Sequence, residues 1–423
     1  MIVDFTVSNY RSFKSAQLFS LHAENKPKYH GQNVMHSHDD IALLRSCGLY
    51  GANAAGKSNL IAAIEALKYL VLKSAHFAKG DEIEVYDPYL LDDEGTKKPV
   101  CFDIEFVAEN NRFSYQIEFT KYEIVYEKLS FYPNNRAANL FERTSSTDFK
   151  NVKFGERFKG GKKRFGFFAN NSYLSKAGYS PESPALIQGV FDYFRHKVHC
   201  LPVLRGEVRS THWQKDASLV SIINTFLNKV DLGIEGFAIE EKMVGDKVRL
   251  PDDMPEEIKH ALLEEHKMEE VFYHRSSANK SVRFERTRES DGTLRMFGIM
   301  PVILLMLKKG NVLFIDEIES SLHPHIAELV IKLFNDPAVN INGAQLIYTT
   351  HDVSLMSSHM LRKDQIYFVE KSVNEGSQLY NLESFDSSQL KDTSPFSKWY
   401  NEGRLGAVPS IDYNDIADAI RKE

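Results

Sequence analysis

Gly51-Ala52-Asn53-Ala54-Ala55-Gly56-Lys57-Ser58 fits the spacing G-x-x-x-x-G-K-[ST] at every fixed position, a pattern suited to cradling phosphates. Glycines let the backbone wrap the phosphates, and a helix start after them points free N–H groups and its positive dipole end at the anion. Lys57 would contact the β and γ phosphates of ATP, and the Ser58 hydroxyl would help hold magnesium. Ala54 and Ala55 within the loop and Asn59 after it count with these ATP contacts. A chance glycine-rich turn is the alternative, and the flanking residues argue against it. A second set is Asp316-Glu317, two acids ending the apolar run Val312-Leu313-Phe314-Ile315. Asp316 would support Mg2+ beside Ser58, and Glu317 would orient and deprotonate the attacking water. Alone, such a pair is more often a solvated strand end; the phosphate loop upstream tips the reading to chemistry. His351, ending Leu346-Ile347-Tyr348-Thr349-Thr350, could donate to the terminal phosphate, although a lone histidine at a strand end is commonly structural. Ser290 and Gly292, in Glu289-Ser290-Asp291-Gly292-Thr293, precede an apolar helical run. Ser290 or Asp291 suits a helix cap; the functional reading is a second anion site, offered to the nucleotide of a neighbouring subunit.

The elements that must position these groups are legible around them. Ile41 to Leu44 with Leu49 and Tyr50 read as a buried strand, and Leu60, Ile61, Ile64, Leu67 and Val71 fall on one helix face, the strand–loop–helix order that a phosphate loop needs. Val312 to Ile315 follows Lys308-Lys309-Gly310, a helix stop, and suits a strand of a parallel sheet with ligands at its carboxyl end. Leu294 to Leu307 is apolar almost all round, hence a buried helix, with a kink expected at Pro301. Near the start, residues 1–20 alternate as two strands joined by a turn at Ser8 to Ser12.

Bulk composition narrows the class. Hydrophobic residues make up 43% and charged residues 26%, with a net charge of −6. That is the profile of a soluble globular protein with two or three structural units, and the mild acidity does not favour uniform nucleic-acid binding. The three cysteines, Cys47, Cys101 and Cys200, form no C-x-x-C pair, which argues against a disulfide framework or zinc module and fits a reducing cytoplasm. The N-terminal residues have no basic n-region, so no signal peptide is expected, and no apolar run is long enough to span a bilayer.

The middle of the chain says less. Val100 to Val107, Phe113 to Phe119, Glu123 to Val125 and Lys128 to Tyr132 alternate as strands of an antiparallel meander. Residues 22–40, with His36-Ser37-His38-Asp39-Asp40, read as a solvated loop because no partner cluster follows at metal-ligand spacing. Residues 133–180 are polar and glycine-bearing and include the basic run Lys159 to Arg164, which reads as a solvated loop, with nucleic-acid or partner contact as the other reading. Residues 182–265 read as mainly helical, at Pro184 to Val198, Ala217 to Val230 and Met254 to His266, with a short strand at Gly236 to Ile239 and no sustained heptads. Glu269 to Phe284 alternates again.

Taken in order, the phosphate loop, the Ser290-to-Thr293 helix start, Asp316-Glu317, Ser321-Leu322-His323-Pro324 and the strand ending in His351 resemble the ABC-type ATPase heads of the RecF, structural-maintenance-of-chromosomes and OLD-like group. Asn9-Tyr10-Arg11-Ser12-Phe13-Lys14 looks like that group's first-strand signature, and Asn53 also fits; the resemblance therefore adds Arg11 and Asn53 to the nucleotide contacts. It implies that Gly292 lies in the signature loop, though Leu-Ser-Gly-Gly is not spelled out. It also implies that Ser320 to His323 cross a dimer interface, and that Glu127, or alternatively Gln116, lies near the glutamine loop. Within the group the chain looks most like stand-alone ATPases of bacterial anti-phage systems, AbiL/RloA-like or PARIS-type, whose C-terminal motif Tyr400 to Pro409 resembles. The resemblance covers roughly residues 1–130 and 285–410. The gap between the halves is only about 250 residues and lacks heptads, which excludes coiled-coil arms. Too little chain follows His351 for a Toprim nuclease domain.

The resulting expectation is an α/β P-loop NTPase with an ABC-type head, a mixed sheet core and an antiparallel β lobe. Residues 1–135 would form its first half, 136–268 a mainly helical insertion, and 269–423 its second half. It would bind and slowly hydrolyse ATP with Mg2+ as an assembly switch, pairing with itself through composite sites and controlling a partner toxin or nuclease in an abortive-infection system. The alternative is a RecF-like repair ATPase that binds DNA when ATP is bound.

Overall fold

The computed structural model describes residues 1–24, 29–37, 39–133, 136–144, 151–201, 216–230, 233–241, 268–372, 374–386, 390–409 and 412–421. In chain order the strands are β1 (Ile2–Ser8), β2 (Gln17–Ser20), β3 (Val34–His36), β4 (Ala42–Leu44) and β5 (Ser46–Tyr50), followed by helix α1 (Lys57–Lys73). Then come β6 (Val100–Ala108), β7 (Asn111–Phe119), β8 (Ile124–Phe131), β9 (Ala138–Thr144) and β10 (Lys153–Phe154), helices α2 (Tyr173–Gly178) and α3 (Ala185–His196), and β11 (Val198–Leu201). After these lie α4 (Ala217–Lys229), β12 (Ile234–Glu241), β13 (Met268–Arg275), β14 (Ser281–Glu285) and α5 (Asp291–Lys309). The last third holds β15 (Val312–Ile315), α6 (Ile318–Ser321), α7 (Pro324–Asn335), β16 (Gln345–Thr349), β17 (Ile366–Ser372), β18 (Gly376–Asn381), α8 (Phe396–Asn401) and α9 (Tyr413–Arg421).

The chain divides into two compact units, one of residues 1–203, 306–320 and 327–423, the other of 204–305 and 321–326. The first contains a six-stranded sheet in the order β11-β15-β16-β5-β17-β18, parallel except for β18. Every residue of β5, β15 and β16 is buried, as expected of parallel strands covered on both faces. The same unit holds a seven-stranded antiparallel sheet, β10-β9-β8-β7-β6-β1-β2. Alternation along β6 and β7 puts Phe102, Ile104, Phe106, Phe113, Tyr115 and Ile117 into a core shared with the inner face of α1, the period-2 pattern of a sheet with one wet face. The two sheets are stitched by Gln345, whose side chain accepts from the Ile2 N–H at 2.6 Å and donates to Ile2 O and Leu44 O. In the second unit, β12, β13 and β14 form an antiparallel sheet, and Phe237 and Phe272 pack edge-on against Phe297 of α5.

The mixed sheet core and antiparallel lobe agree with the expected fold class, but several local readings are corrected. The apolar run from Ile41 to Tyr50 is two strands, not one. It breaks at Arg45, whose guanidinium leaves the strand line to donate to Asn340 O at 2.9 Å. Part of the expected solvated loop at 22–40 is a strand, β3, paired with β4; His38 lies outside the described residues. Glu123–Val125 and Lys128–Tyr132 merge into the single strand β8 with a register shift on its β9 side. The polar, glycine-bearing segment 133–180, in which no element was expected, supplies β9, β10 and α2. Pro184 to Val198 is a helix followed by a short parallel strand, which Lys197 and His199 disguise. The strand at Gly236 to Ile239 is longer, and Met254 to His266 lies outside the described residues. Helix α5 continues through Pro301. No described helix is long and apolar enough to cross a membrane.

Candidate active site

β5 ends at Tyr50 and α1 begins at Lys57, so the phosphate pattern is the connection between a buried strand and a helix start. Its turn requires two of its glycines. Gly51 has φ +150 and a Cβ there would collide with Val369 O; Gly56 has φ +112 and a Cβ there would collide with the hydroxyls of Ser12 and Ser377. Those two serines form the floor of the loop. Ser377 donates to Ala55 O, Asn59 Nδ2 donates to Ser12 Oγ at 2.7 Å, and Ser377 N–H donates to Ser12 O at 2.7 Å. The turn between β1 and β2 and the start of β18 therefore brace the loop from beneath. Asn53, Ala54 and Ser58 are exposed on its upper side while Ala55, Gly56 and Lys57 are buried.

Lys57 turns its ammonium back onto the loop, donating to Gly51 O at 2.9 Å and Ala52 O at 3.1 Å. Burial lowers its pKa to about 8, against the opposing pull of Glu319, Glu317 and Asp316. A cation taken out of water is held here by carbonyl dipoles and nearby carboxylates, a setting that an incoming polyanion would complete.

Parallel pairing of β15, β16 and β5 sets the ends of three strands side by side. That register brings Asp316 to the loop: Ser58 Oγ donates to Asp316 Oδ1 at 2.9 Å. Thr349, the last residue of β16, donates to the same Oδ1 at 2.6 Å and accepts from the Glu317 N–H at 2.7 Å. Glu317 has φ +48, a left-handed conformation that costs a non-glycine residue of the order of 1 kcal/mol or more and is found where function demands it. It turns the Glu317 side chain toward His351, whose Nε2 lies 4.0 Å from Glu317 Oε1. On its other edge His351 Nδ1 faces Lys57 Nζ at 3.4 Å. An ammonium offers only donors, so Nδ1 is the acceptor there and the ring proton lies on Nε2, on the Glu317 side. A third acid, Glu319, accepts from Thr350 Oγ1 at 2.7 Å and from the His351 N–H at 2.5 Å.

The structure thus brings Lys57, Ser58, Asp316, Glu317 and His351 to one sheet edge. Sequence reasoning passed over Thr349, Glu319, Ser12 and Ser377. Thr349 and Ser12 sit inside runs singled out for other residues, while Glu319 falls between two such runs, and the acid two residues beyond Glu317 was the available signal. Ser377 gave no local signal. Ser58 Oγ and Asp316 Oδ1 are hard oxygen donors in contact, a donor set that fits Mg2+.

Other candidates lie elsewhere. Arg11, with φ +48, pairs with Asp87 at 2.9 Å beside the loop's serine floor, and its neighbour Asn9 ties down the carbonyls of Gly95 and Lys98. Ser290 caps α5, accepting from the Thr293 N–H at 3.1 Å, and with Gly292 it belongs to the second unit. Glu127 does not line the site. It is fully buried, and its carboxylate accepts from Tyr115 Oη, Ser172 Oγ and the N–H groups of Tyr173 and Leu174, with Arg143 at 3.5 Å. Gln116, on the opposite face of β7, donates to Glu118. The basic run is partly engaged, with Lys162 paired to Glu182 at 3.0 Å. In the C-terminal motif, Tyr400 stacks on Phe368 of β17 and donates to Ala407 O at 2.9 Å.

A family model described as "AAA domain, putative AbiEii toxin, Type IV TA system" matches residues 47–183 and 233–357, more than half of the chain. No curated protein sequence matches. Among solved structures, the SMC head domain from Thermotoga maritima is similar at 14% identity and TM-score 0.39, over 90% of this chain and 98% of that one. An SMC head bound to the C-winged helix domain of ScpA is similar at 12% identity and TM-score 0.41, over 92% and 99%. An SMC head with an extended coiled coil, bound to the C-terminal domain of ScpA derived from Pyrococcus furiosus, is similar at 11% and 0.40, over 95% and 99%.

Proposed function

The chain belongs to the family of AAA domains described as a putative AbiEii toxin of type IV TA systems, and is a P-loop ATPase; from that premise we propose that its ATP turnover is a slow switch on self-assembly, serving a bacterial anti-phage system. The observation that carries this reading is the convergence of Lys57, Ser58, Asp316, Glu317 and His351 at one sheet edge. ATP would enter over the exposed side of the loop, and Lys57 would exchange the carbonyls of Gly51 and Ala52 for phosphate oxygens. Ser58 and Asp316 would hold Mg2+, which when bound neutralises phosphate charge. Glu317 would accept the proton of a water that attacks the γ phosphorus as its bond to the bridging oxygen breaks and ADP leaves. His351, with its ring proton on the Glu317 side, would donate toward the terminal phosphate. Arg11, Asn53, Ala54, Ala55 and Asn59 would complete the nucleotide contacts.

In the assembled state, Ser290 and Gly292 of one subunit would close over the ATP of another, as α5's free N–H groups suit an anion. The partner effector, a toxin or nuclease, would be held until that assembly changes. The family's description as part of a toxin–antitoxin system supports the defence role.

Glu317→Gln should bind ATP, lose hydrolysis by roughly 10²-fold or more, and accumulate as a larger ATP-dependent species in light scattering. Lys57→Ala, the control, should neither bind nor assemble. Hydrolysis by Glu317→Gln at the parent's rate removes Glu317 from its role. Monomer under all nucleotide conditions removes the switch. Hydrolysis that needs added DNA would instead favour a repair ATPase.

A further inference from the structure

Glu319 has no part in the reaction as set out above, yet both oxygens of its side chain are committed. Oε2 accepts from the Thr350 hydroxyl at 2.7 Å and Oε1 from the His351 backbone N–H at 2.5 Å. The first two residues after β16 are thereby tied to α6, which starts two residues after Asp316. His351 spans the gap between Lys57 and Glu317 by its two ring nitrogens, so the backbone position that Glu319 fixes decides where the imidazole lies. The same carboxylate has an electrostatic role. Its bond to the His351 N–H places it beside the residue whose ring faces the Lys57 ammonium, and with Glu317 and Asp316 it is one of three acids whose charge acts on that ammonium. A group that strengthens the charged lysine must repel a polyphosphate brought to that lysine, and the repulsion grows with each phosphate charge.

We propose that Glu319 is a positioning residue that sets turnover against affinity: its carboxylate holds His351 in place for hydrolysis while its charge opposes the binding of the triphosphate. This deepens the ATPase reading of the site and rests on it. A tether serving only local folding would act differently. Its loss would loosen the strand end, weaken binding and slow turnover together.

The test compares Glu319→Gln and Glu319→Asp with the parent, measuring ATP and ADP affinity by calorimetry and steady-state hydrolysis at pH 7. Glutamine removes the charge and puts an NH2 donor where one of the two acceptor oxygens stood, so that with its amide oxygen on the His351 N–H the Thr350 hydroxyl proton loses its acceptor. Aspartate keeps the charge but is one methylene too short to hold both donors. Glu319→Gln should bind ATP more tightly by about tenfold, the order expected of one nearby charge, gain less for ADP, and hydrolyse at least tenfold more slowly. Glu319→Asp should lose hydrolysis similarly with ATP affinity near the parent's. Should the glutamine variant fail to fold, an aspartate variant with parental affinity and parental turnover overturns the positioning role by itself. Weaker ATP binding by Glu319→Gln, equal gains for ATP and ADP, or turnover within twofold of the parent also overturn the proposal. A parent that hydrolyses no ATP is a different result, and refutes the ATPase reading beneath it.

Discussion

Lys57 shows how a single side chain is held ready. Its ammonium is buried among carbonyl oxygens and a partner imidazole, its pKa is lowered to about 8, and Asp316, Glu317 and Glu319 face it. Burial, the largest cause, disfavours the charged form; phosphate oxygens would favour it. The sign follows. A ligand that stabilises the protonated lysine raises its pKa, so ATP binding near pH 8 should take up protons. Affinity should then fall as pH rises above 8, where the free site has already lost its charge. Calorimetry at pH 8 in two buffers of different ionisation enthalpy measures the uptake, and it should shrink toward pH 7. Proton release on binding would contradict this account of Lys57. At this scale the sequence was informative wherever function is written as local spacing. Gly51, Gly56, Lys57 and Ser58 are one short segment, and Asp316-Glu317 another. Ser12 and Ser377 brace that segment from opposite ends of the chain, and a serine near a turn or a strand start has many ordinary reasons to be there.

Elements bring the groups together, and one buried pair is central to the lobe beside them. Arg143 of β9 and Glu127 of β8 are both essentially inaccessible to water. Arg143 donates to the carbonyls of Asn171, Ile124 and Ala169 and lies over the ring of Phe167 at 4.5 Å. Glu127 receives the first N–H groups of α2, and Asn171 reaches Ser74 O and Phe77 O just beyond α1. The pair thus fastens the lobe to the far end of the helix that starts at the phosphate loop. Glu127→Ala would leave a buried guanidinium without its carboxylate, and two N–H groups and two hydroxyls without that acceptor. The expected loss is about 3–5 kcal/mol, read as a large drop in thermal midpoint that Glu127→Gln recovers in part. A melting point equal to the parent's would show that the pair is not structural. The strands of the lobe were legible from alternation, but β9 was not. Arg143 and Glu142 make its stretch look polar, because an arginine buried inside a core has the same letter as one in water.

Across the first unit, the sheets are joined by contacts between residues far apart in sequence. Gln345 binds Ile2 through both its donor and its acceptor atoms. Gln345→Leu keeps the volume but strands the N–H and C=O of Ile2, at about 1–3 kcal/mol for each buried group left unpaired. Denaturant unfolding should show that loss in the midpoint, and an unchanged midpoint would mean that the two sheets do not depend on this stitch. The pairing of β5 with β16 on one side and β17 on the other was hidden from sequence reading, since apolar runs of similar length do not state their neighbours. That arrangement bears on synthesis. Both flanking strands are translated some three hundred residues after β5, so a nascent chain carries an apolar strand with two bare edges until β16 and β17 have emerged. Bare edges recruit other strands, and pairings this distant close slowly. Cellular holding factors would therefore have to shield this strand until its two neighbours arrive, and a product cut short before β16 would keep both edges bare and open to pairing with other chains.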